Sequence, residues 1–201
     1  MNFLAHLYLA KGNDGLMLGA LLGDFVRGRR AMWSYPYETR EGIRLHRRID
    51  KITDSSAPVK SLRRSFPKEF RRYAGIVIDL AFDYELAKDW SRYSSTSLEE
   101  FDLEVREVLD RHQELLPEKL KNFITYADRR GLFANYRFEE EILFSLAGLG
   151  TRLKRANPLH RVGEIWPDLK QDFHAAFELV FPEIQSGVAD WRKRRSMTTG
   201  S

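Results

Sequence analysis

The stretch Ala74-Gly-Ile-Val-Ile-Asp79-Leu-Ala-Phe-Asp83-Tyr-Glu-Leu-Ala87 decides the fold, because it is apolar nearly all round yet carries two central carboxylates. Such a composition is typical of a helix at the centre of a helical protein. We predict one long helix from about residue 68 to residue 93. At helical spacing, Asp79 and Asp83 share a face with residues that should be buried, namely Ile76, Leu86, Ala87 and Trp90.

Two carboxylates on a buried face repel each other and lose hydration, which is costly unless a cation or hydrogen bonds compensate. A metal ion would offset both the repulsion and the lost hydration, so we predict that Asp79 and Asp83 are metal ligands. This pattern indicates a helical metallohydrolase. The alternative is a buried salt bridge from each carboxylate to an arginine of another helix. Such pairs need excellent geometry to break even.

Helical patterns also dominate outside this stretch, and strand signals are scarce. We predict an all-α, single-domain bundle of about eight helices over residues 1–195, followed by a disordered tail at residues 196–201. The predicted helices cover about residues 2–10, 14–26, 39–54, 58–66, 68–93, 97–115, 118–130, 138–155 and 168–194.

Several residues predict where these helices begin and end. Asn13 or Asp14 should cap the second helix, and Ser97 with Glu100 has the spacing of a capping box. Gly28 should end the second helix, while Pro182 should kink or split the last one.

Composition narrows the class of protein. The 201 residues include no cysteine, which excludes disulfides and thiolate metal sites, so a metal would need nitrogen and oxygen ligands. The first residues are apolar but lack the basic start of a signal peptide, and no apolar run approaches membrane-spanning length. We therefore expect a cytoplasmic protein. The sequence also lacks a nucleophile elbow, a phosphate-binding glycine loop, a Rossmann glycine run and a His-Glu-x-x-His motif.

Basic residues are clustered although Lys and Arg (33) only slightly outnumber Asp and Glu (29), for a formal charge of +4. Such clusters favour an anionic partner, while the alternative for any one of them is a solvated helix face. The clusters include Arg27, Arg29 and Arg30; Arg44, Arg47, Arg48 and Lys51; and Lys60, Arg63 and Arg64.

A second set of candidate ligands lies on the predicted third helix. His46, Asp50 and Asp54 are four residues apart and form one stripe beside the buried face. A histidine and a carboxylate at this spacing are a recurrent metal-ligand pair on helices. The alternative is that Asp50 and Asp54 pair with Arg47 or Lys51 at the surface.

Two further candidates lie nearer the N-terminus. Asp24 flanks the apolar stripe of the second helix, and a local ion pair with Arg27 is the alternative to a ligand role. His6 follows Asn2 by four residues on an apolar helix, where a histidine is more often a hydrogen-bonded core residue. Carboxylates, two histidines and basic neighbours together favour metal-assisted hydrolysis of a phosphoester. The oxygen and imidazole donors suit Mn²⁺ or Mg²⁺, and also Fe²⁺ or Zn²⁺, and arginines would neutralise charge on the phosphate.

Five short motifs in the first ninety residues resemble the acyl carrier protein phosphodiesterases. They are Asn2-Phe-Leu-Ala-His6-Leu, Leu22-Gly-Asp24-Phe-Val-Arg27-Gly28, Gly42-Ile-x-x-His46-Arg-Arg-Ile-Asp50, Thr53-Asp54 and Asp79-x-x-x-Asp83. The resemblance implies hydrolysis of the phosphodiester that joins 4′-phosphopantetheine to a serine of holo-acyl carrier protein, with Mn²⁺ as the favoured metal. It also implies an HD-like fold, although Arg47 follows His46 where that superfamily has an adjacent aspartate.

The same resemblance implies roles for individual residues. Asp24, His46, Asp79 and Asp83 become the expected metal ligands. Asp24, His46, Asp50 and Arg27 become the catalytic residues. His6, Asp54 and Asn2 would support them. The acidic carrier protein would be steered and docked by Arg44, Arg47, Arg48, Arg63 and Arg64.

Two other functions stay open at this point. The first is an HD-like nucleotide phosphohydrolase with the same metal. The second is a non-enzymatic helical protein that binds nucleic acid through its basic faces, for which Phe66, Phe70 and Tyr73 beside Arg71 and Arg72 offer a faint signal. We favour core packing for these aromatic residues, and no nucleic-acid or membrane partner is expected.

Overall fold

The computed structural model describes residues 3–128 and 131–199, and within these ranges it contains helices and no strand. The predicted all-α class is confirmed. The described residues form ten α-helices: α1 (Phe3–Ala10), α2 (Asp14–Leu22), α3 (Gly28–Met32), α4 (Tyr37–Ser55), α5 (Ala57–Ser65), α6 (Ala74–Lys88), α7 (Leu98–Arg111), α8 (Glu118–Asp128), α9 (Glu139–Arg152) and α10 (Trp166–Thr199).

One contiguous hydrophobic core takes buried residues from all ten helices, from Phe3 in α1 to Val188 in α10. The aromatic residues Phe66 and Phe70 belong to this core and are about 1% exposed, as expected for packing rather than for stacking on nucleic-acid bases. None of the described helices combines the length and apolar character that crossing a membrane requires.

The predicted caps are present. The side chain of Asn13 accepts a hydrogen bond from Leu16 N at 2.9 Å and caps α2. Ser97 and Glu100 form the reciprocal capping box at the start of α7. These bonds satisfy backbone N–H groups that have no partner within the helix.

The helix α6 is central as predicted but shorter. Every residue from Val77 to Ala87 is buried except Asp79, which is half-buried. The helix begins at Ala74 because the chain first makes a turn at Pro67 and then a 3₁₀ turn, and a second 3₁₀ turn follows its C-terminus.

The prediction that Gly28 ends the second helix is wrong. The helix α2 ends at Leu22, whose carbonyl accepts hydrogen bonds from Phe25 N and Val26 N in a closing turn. Gly28 instead begins the short helix α3 with a φ of +81°, a conformation that glycine adopts without strain. The segment between α2 and α4 therefore contains a helix where no helix was predicted.

The last helix is not split at Pro182, because α10 runs without a break from Trp166 to Thr199. A proline inside a helix costs about 3 kcal/mol or more. Phe181 and Ile184, on either side of Pro182, are fully buried, and each contributes about 1.5–3 kcal/mol of apolar burial that offsets this cost. The helix also includes residues 196–199 of the predicted disordered tail, while residues 200 and 201 lie outside the described residues.

The crossing of α2 and α4 is the closest helix contact relevant to the site. A Cβ added to Gly19 would lie 2.2 Å from the carbonyl oxygen of Thr39 and 2.6 Å from Cα of Gly42. A Cβ on Gly15 would lie 2.4 Å from Cβ of Glu38. Because real side chains do not fit at these distances, glycines allow the two backbones to touch, and α4 lies directly on α2.

Candidate metal centre

Four predicted side chains converge where α1, α4 and the α2–α3 segment meet. The Nε2 atom of His6 lies 3.1 Å from one carboxylate oxygen of Asp50, and Nε2 of His46 lies 3.1 Å from the other. An Asp24 oxygen lies 3.5 Å from the same Nε2 of His46. Among the described residues, His6, His46 and Asp50 form a group whose donor atoms all lie within 4.8 Å of one another.

The orientation of His46 is fixed by α2. Its Nδ1 donates to the carbonyl oxygen of Ala20 at 2.7 Å, which leaves Nε2 facing the two carboxylates. The ring packs on Gly23, where an added Cβ would lie only 2.1 Å from Cγ of His46. A backbone acceptor on one ring nitrogen is the usual way in which a metal-binding histidine is held in one tautomer.

The position of His6 is fixed by α6. The buried carboxylate of Asp83 accepts hydrogen bonds from Leu4 N at 2.9 Å and from Ala5 N at 3.0 Å. These two N–H groups lie in the first turn of α1 and have no partner within it. Asp83 thus caps α1 at the two residues that directly precede His6, and the positive end of the helix dipole favours a carboxylate there.

The two imidazole rings of the site are stacked, with centroids 3.9 Å apart and an interplanar angle of 16°. Their environments separate their pKa values. Burial, reinforced by the neighbouring His46, lowers the pKa of His6 to about 4. Burial also acts to lower the pKa of His46, but the Asp24 and Asp50 carboxylates outweigh it and raise this pKa to about 9. In the metal-free protein, His46 is therefore an imidazolium cation near neutral pH, whereas His6 is neutral.

Both carboxylates of the site are ionised at neutral pH. Burial acts to raise the pKa of Asp50, but hydrogen bonds from His46 and His6 outweigh it and hold the pKa well below its usual range. The pKa of Asp24 is lowered in the same way by His46.

The site opens to solvent on its carboxylate side. The His6 and His46 side chains are 0% and 3% exposed, whereas those of Asp50 and Asp24 are 39% and 56% exposed. Two buried imidazole nitrogens and two half-open carboxylates form a donor set that fits a divalent cation. The residues present therefore suit a metal, with the open side available to a substrate.

The structure places the two predicted ligands of α6 elsewhere. Both oxygens of Asp83 are engaged by backbone N–H groups of α1, and burial raises the pKa of this carboxyl to about 7 against the opposing effect of those bonds. Asp79 is half-buried on the same helix. Neither residue is part of the group formed by His6, His46 and Asp50. Their ligand role stays a prediction, and the observed role of Asp83 is to cap α1.

Three further residues of the predicted site remain: the supporting residues Asp54 and Asn2, and the catalytic residue Arg27. Asp54 forms an exposed ion pair at 2.6 Å with Arg63, which is a surface pairing but with a different partner from the expected Arg47 or Lys51. Arg27 precedes α3 and is exposed. Asn2 lies outside the described residues.

The predicted docking arginines differ in what they contact. Arg44 is paired with Glu41, and Arg47 donates to the carbonyl oxygen of Val26 at 2.8 Å, which ties the α2–α3 segment to α4. Arg64 is exposed and Arg48 is half-buried.

The sequence did not indicate the two backbone groups, one in α2 and one directly after it, that hold His46. These are the carbonyl of Ala20 and the bare backbone of Gly23. The available signal was the spacing of Gly15, Gly19 and Gly23, which places three glycines on one face of a helix and indicates a close helix crossing.

Comparison with known proteins gives a consistent result. The family model described as "Acyl carrier protein phosphodiesterase" matches residues 1–184. The chain is similar to proteins named acyl carrier protein phosphodiesterase from Pectobacterium atrosepticum (36% identity; 90% of this chain and 92% of the relative), Escherichia coli O6:H1 (35%; 87% and 89%) and Photorhabdus laumondii (34%; 90% and 92%). No solved structure gives a significant match.

Proposed function

This chain belongs to the acyl carrier protein phosphodiesterase family, and from this premise we propose that it is a metal-dependent phosphodiesterase. Its substrate is holo-acyl carrier protein, and its products are the apo carrier protein and 4′-phosphopantetheine. The observation that carries the metal dependence is the convergence of His6, His46 and Asp50 within 4.8 Å, with Asp24 beside them. We propose the cytoplasm, as predicted from the sequence, as its location.

His6, His46, Asp50 and Asp24 would hold the metal. Two imidazoles favour Mn²⁺, Fe²⁺ or Zn²⁺ over Mg²⁺, which prefers oxygen ligands and several waters. Mn²⁺ is our choice, because it accepts mixed nitrogen and oxygen donors and suits phosphoryl chemistry. When bound, the ion would polarise the phosphoryl oxygen and lower the pKa of a water molecule.

The protein residues around the ion bind and orient the reactants. Asp24 is the most exposed carboxylate of the site, and it would accept a hydrogen bond from the attacking water. The water would lose a proton to Asp24 as its oxygen joins phosphorus, the bond between phosphorus and the serine oxygen would break, and the serine oxygen would take up that proton. Arg27, three residues after Asp24, would neutralise the phosphate charge. His46 is held by Ala20, so its Nε2 stays directed at the reaction centre.

The test is hydrolysis of purified holo-carrier protein with Mn²⁺, followed by intact-mass measurement of the lost phosphopantetheine. We expect conversion with Mn²⁺ and none in excess chelator. The hydrolysis activity of His46→Gln and of Asp50→Asn should fall by more than about 100-fold. Loss of a residue that only hydrogen-bonds to a metal ligand costs roughly 10–100-fold, so the larger loss would indicate a direct ligand role. His112→Gln is the matched control, because His112 also lies near an aspartate (3.9 Å from Asp14) but on a different surface.

The experiment separates this function from the alternatives. Activity on a nucleotide panel, with no conversion of the carrier protein, would favour the nucleotide phosphohydrolase. Full activity in chelator, or in both site variants, would refute the metal centre.

A further inference from the structure

The outward face of α4 carries a row of cations, of which Arg44, Arg47 and Lys51 are exposed and Arg40 and Arg48 are half-buried. At helical spacing, Arg40, Arg44, Arg47, Arg48 and Lys51 lie on the side opposite the buried residues Gly42, His46 and Ile49. Asp50 lies between the two faces, so the basic row borders the open side of the metal centre. Across residues 27–51 there are eight Arg or Lys residues against three acidic ones, one of which is Asp50.

Two exposed aromatic residues lie beside this row. Trp33, just after α3, is 57% exposed, and Tyr37, at the start of α4, is 46% exposed. The guanidinium of Arg40 stacks over both, at 4.6 Å from the ring centroid of Trp33 and 5.9 Å from that of Tyr37. Stacking holds a guanidinium flat and leaves its edge free to bind carboxylates.

The last helix completes this arrangement. Arg195 of α10 stacks over Tyr37 at 5.5 Å and over Trp191 at 5.4 Å, and it pairs with Glu38. Glu38 is one of the few acidic residues of this region, so its pairing leaves the surface more positive. We name the surface formed by Trp33, Tyr37, Arg40, Arg44 and Arg47 the α3–α4 surface.

The chemistry of the proposed reaction constrains where the substrate protein must dock. The bond that breaks joins phosphorus to the serine oxygen of the carrier protein, at the protein end of the phosphopantetheine arm. The surface of the carrier must therefore reach the metal centre itself. Arg40 precedes Asp50 by ten residues, or about 15 Å along the helix. A standard interface of about 800 Å² per partner is roughly 30 Å across and would cover both.

We propose that the α3–α4 surface is the docking site for an acidic partner protein, which under the proposed function is the carrier protein. Trp33 and Tyr37 would be the buried anchors of this interface, and Arg40 with its neighbours would pair with carboxylates of the partner. This places the centre of docking at Arg40 rather than at Arg63 and Arg64, because the exposed rings of Trp33 and Tyr37 lie beside Arg40. Aromatic and arginine residues of this kind dominate binding energy at protein interfaces.

The test compares the kinetics of each variant on two substrates and adds one measurement of binding affinity. Trp33→Ala and Arg40→Glu are assayed with Mn²⁺ on holo-carrier protein and on bis(p-nitrophenyl) phosphate, a small diester that needs no docking. We expect kcat/KM for the carrier protein to fall at least about tenfold relative to that for the small diester, mostly through KM. The Kd for apo-carrier protein, measured by calorimetry, should rise in parallel.

Phe138→Ala is the matched control, because Phe138 is 48% exposed and carries the guanidinium of Arg137 at 5.1 Å, on the segment that precedes α9. In this variant, kcat/KM for the carrier protein relative to that for the small diester should be unchanged, and so should the Kd for apo-carrier protein.

Three results would overturn the proposal. Variants that hydrolyse and bind the carrier protein like the wild type would remove docking from this surface while leaving the proposed function intact. A wild type that neither binds nor hydrolyses the carrier protein would remove the proposed function itself. Variants that lose affinity for an RNA oligonucleotide, with carrier kinetics unchanged, would assign the surface to nucleic acid.

Discussion

The imidazole rings of His6 and His46 stack with centroids 3.9 Å apart, and each directs its Nε2 at a different oxygen of Asp50. Two rings at this distance cannot both be imidazolium cations without strong repulsion. In the metal-free site His46, whose pKa is about 9, is therefore the imidazolium cation, and His6, whose pKa is about 4, is neutral.

The stability of the metal-free protein should reflect the protonation of His46. The pKa of His46 is about 9 in the folded state against 6.5 for the free side chain, so the folded state binds the proton more tightly than the unfolded chain. The resulting stabilisation is complete below pH 6.5 and is lost as the pH rises towards 9. We expect the free energy of unfolding of wild type, minus that of His46→Gln, to fall over this window in urea titrations with chelator. A constant difference would contradict the assigned proton.

Metal binding should have the opposite pH dependence. A ligand nitrogen must lose its proton before it binds a cation, so Mn²⁺ would displace the proton of His46. We expect the affinity for Mn²⁺ to rise with pH up to about pH 9 and proton release to be close to one at pH 7.5. Calorimetry in buffers of different ionisation enthalpy measures this number, and no release would show that His46 is not a ligand.

The contact between Gly23 and His46 makes a sharp substitution test. A methyl group at residue 23 would overlap the His46 ring, so Gly23→Ala should displace the imidazole. Displacement by about 1 Å can cost roughly 100-fold in rate, and overpacking costs about 1–3 kcal/mol of stability. The measurements are kcat for the carrier protein and the free energy of unfolding.

Gly75→Ala is the control for that substitution. Its new Cβ would lie 3.2 Å from the movable guanidinium of Arg63, and alanine is favoured over glycine inside a helix. Activity should be unchanged. Equal activity of both variants would mean that the position of His46 does not matter for catalysis.

The role of Asp83 can be decided by stability and metal content together. As a cap of α1, Asp83→Asn would leave one N–H of Leu4 or Ala5 without an acceptor, which costs about 1–3 kcal/mol. We expect lower stability in the metal-free protein and weaker Mn²⁺ binding at unchanged stoichiometry. If Asp83 were instead a ligand, metal-free stability would stay the same or rise, because carboxylate repulsion is relieved. Asp79→Asn, on the same helix, serves as the comparison.

Because Asp54 pairs with Arg63 at the surface, we expect its substitution to have no effect on metal binding or catalysis. Both side chains are well exposed, at 59% and 40%, and an exposed ion pair contributes less than about 1 kcal/mol. Asp54→Ala should therefore keep its Mn²⁺ affinity and its kcat. A large loss of kcat in this variant would restore the supporting role that the sequence predicted.

Patterns along single helices could be read from the sequence, whereas contacts between helices could not. The spacing of His46 and Asp50 places both on one stripe of α4, and the structure brings them together. That His6 meets the same carboxylate depends on how α1 lies against α4, and no local pattern records this. The apolar surroundings of Asp83 predicted its burial, but a capping carboxylate and a metal-ligating carboxylate look alike in a sequence.

The helix boundaries show the same limit. Pro182 has a local preference to end a helix, but burial of Phe181 and Ile184 on either side of it offsets this preference, and α10 is continuous. The helix α3 has only five residues, which is too few for a periodic pattern, so nothing local distinguishes it from a loop.

The glycine contacts between α2 and α4 also limit how this enzyme can change. The two backbones are in direct contact there, so a larger side chain on one helix cannot be accommodated by a smaller side chain on the other. Substitutions at positions 15, 19 and 42 should therefore be poorly tolerated. Variation in partner choice would have to accumulate on the outward side of α4 instead. Selectivity for different protein substrates is therefore the property that directed evolution of this chain should alter first.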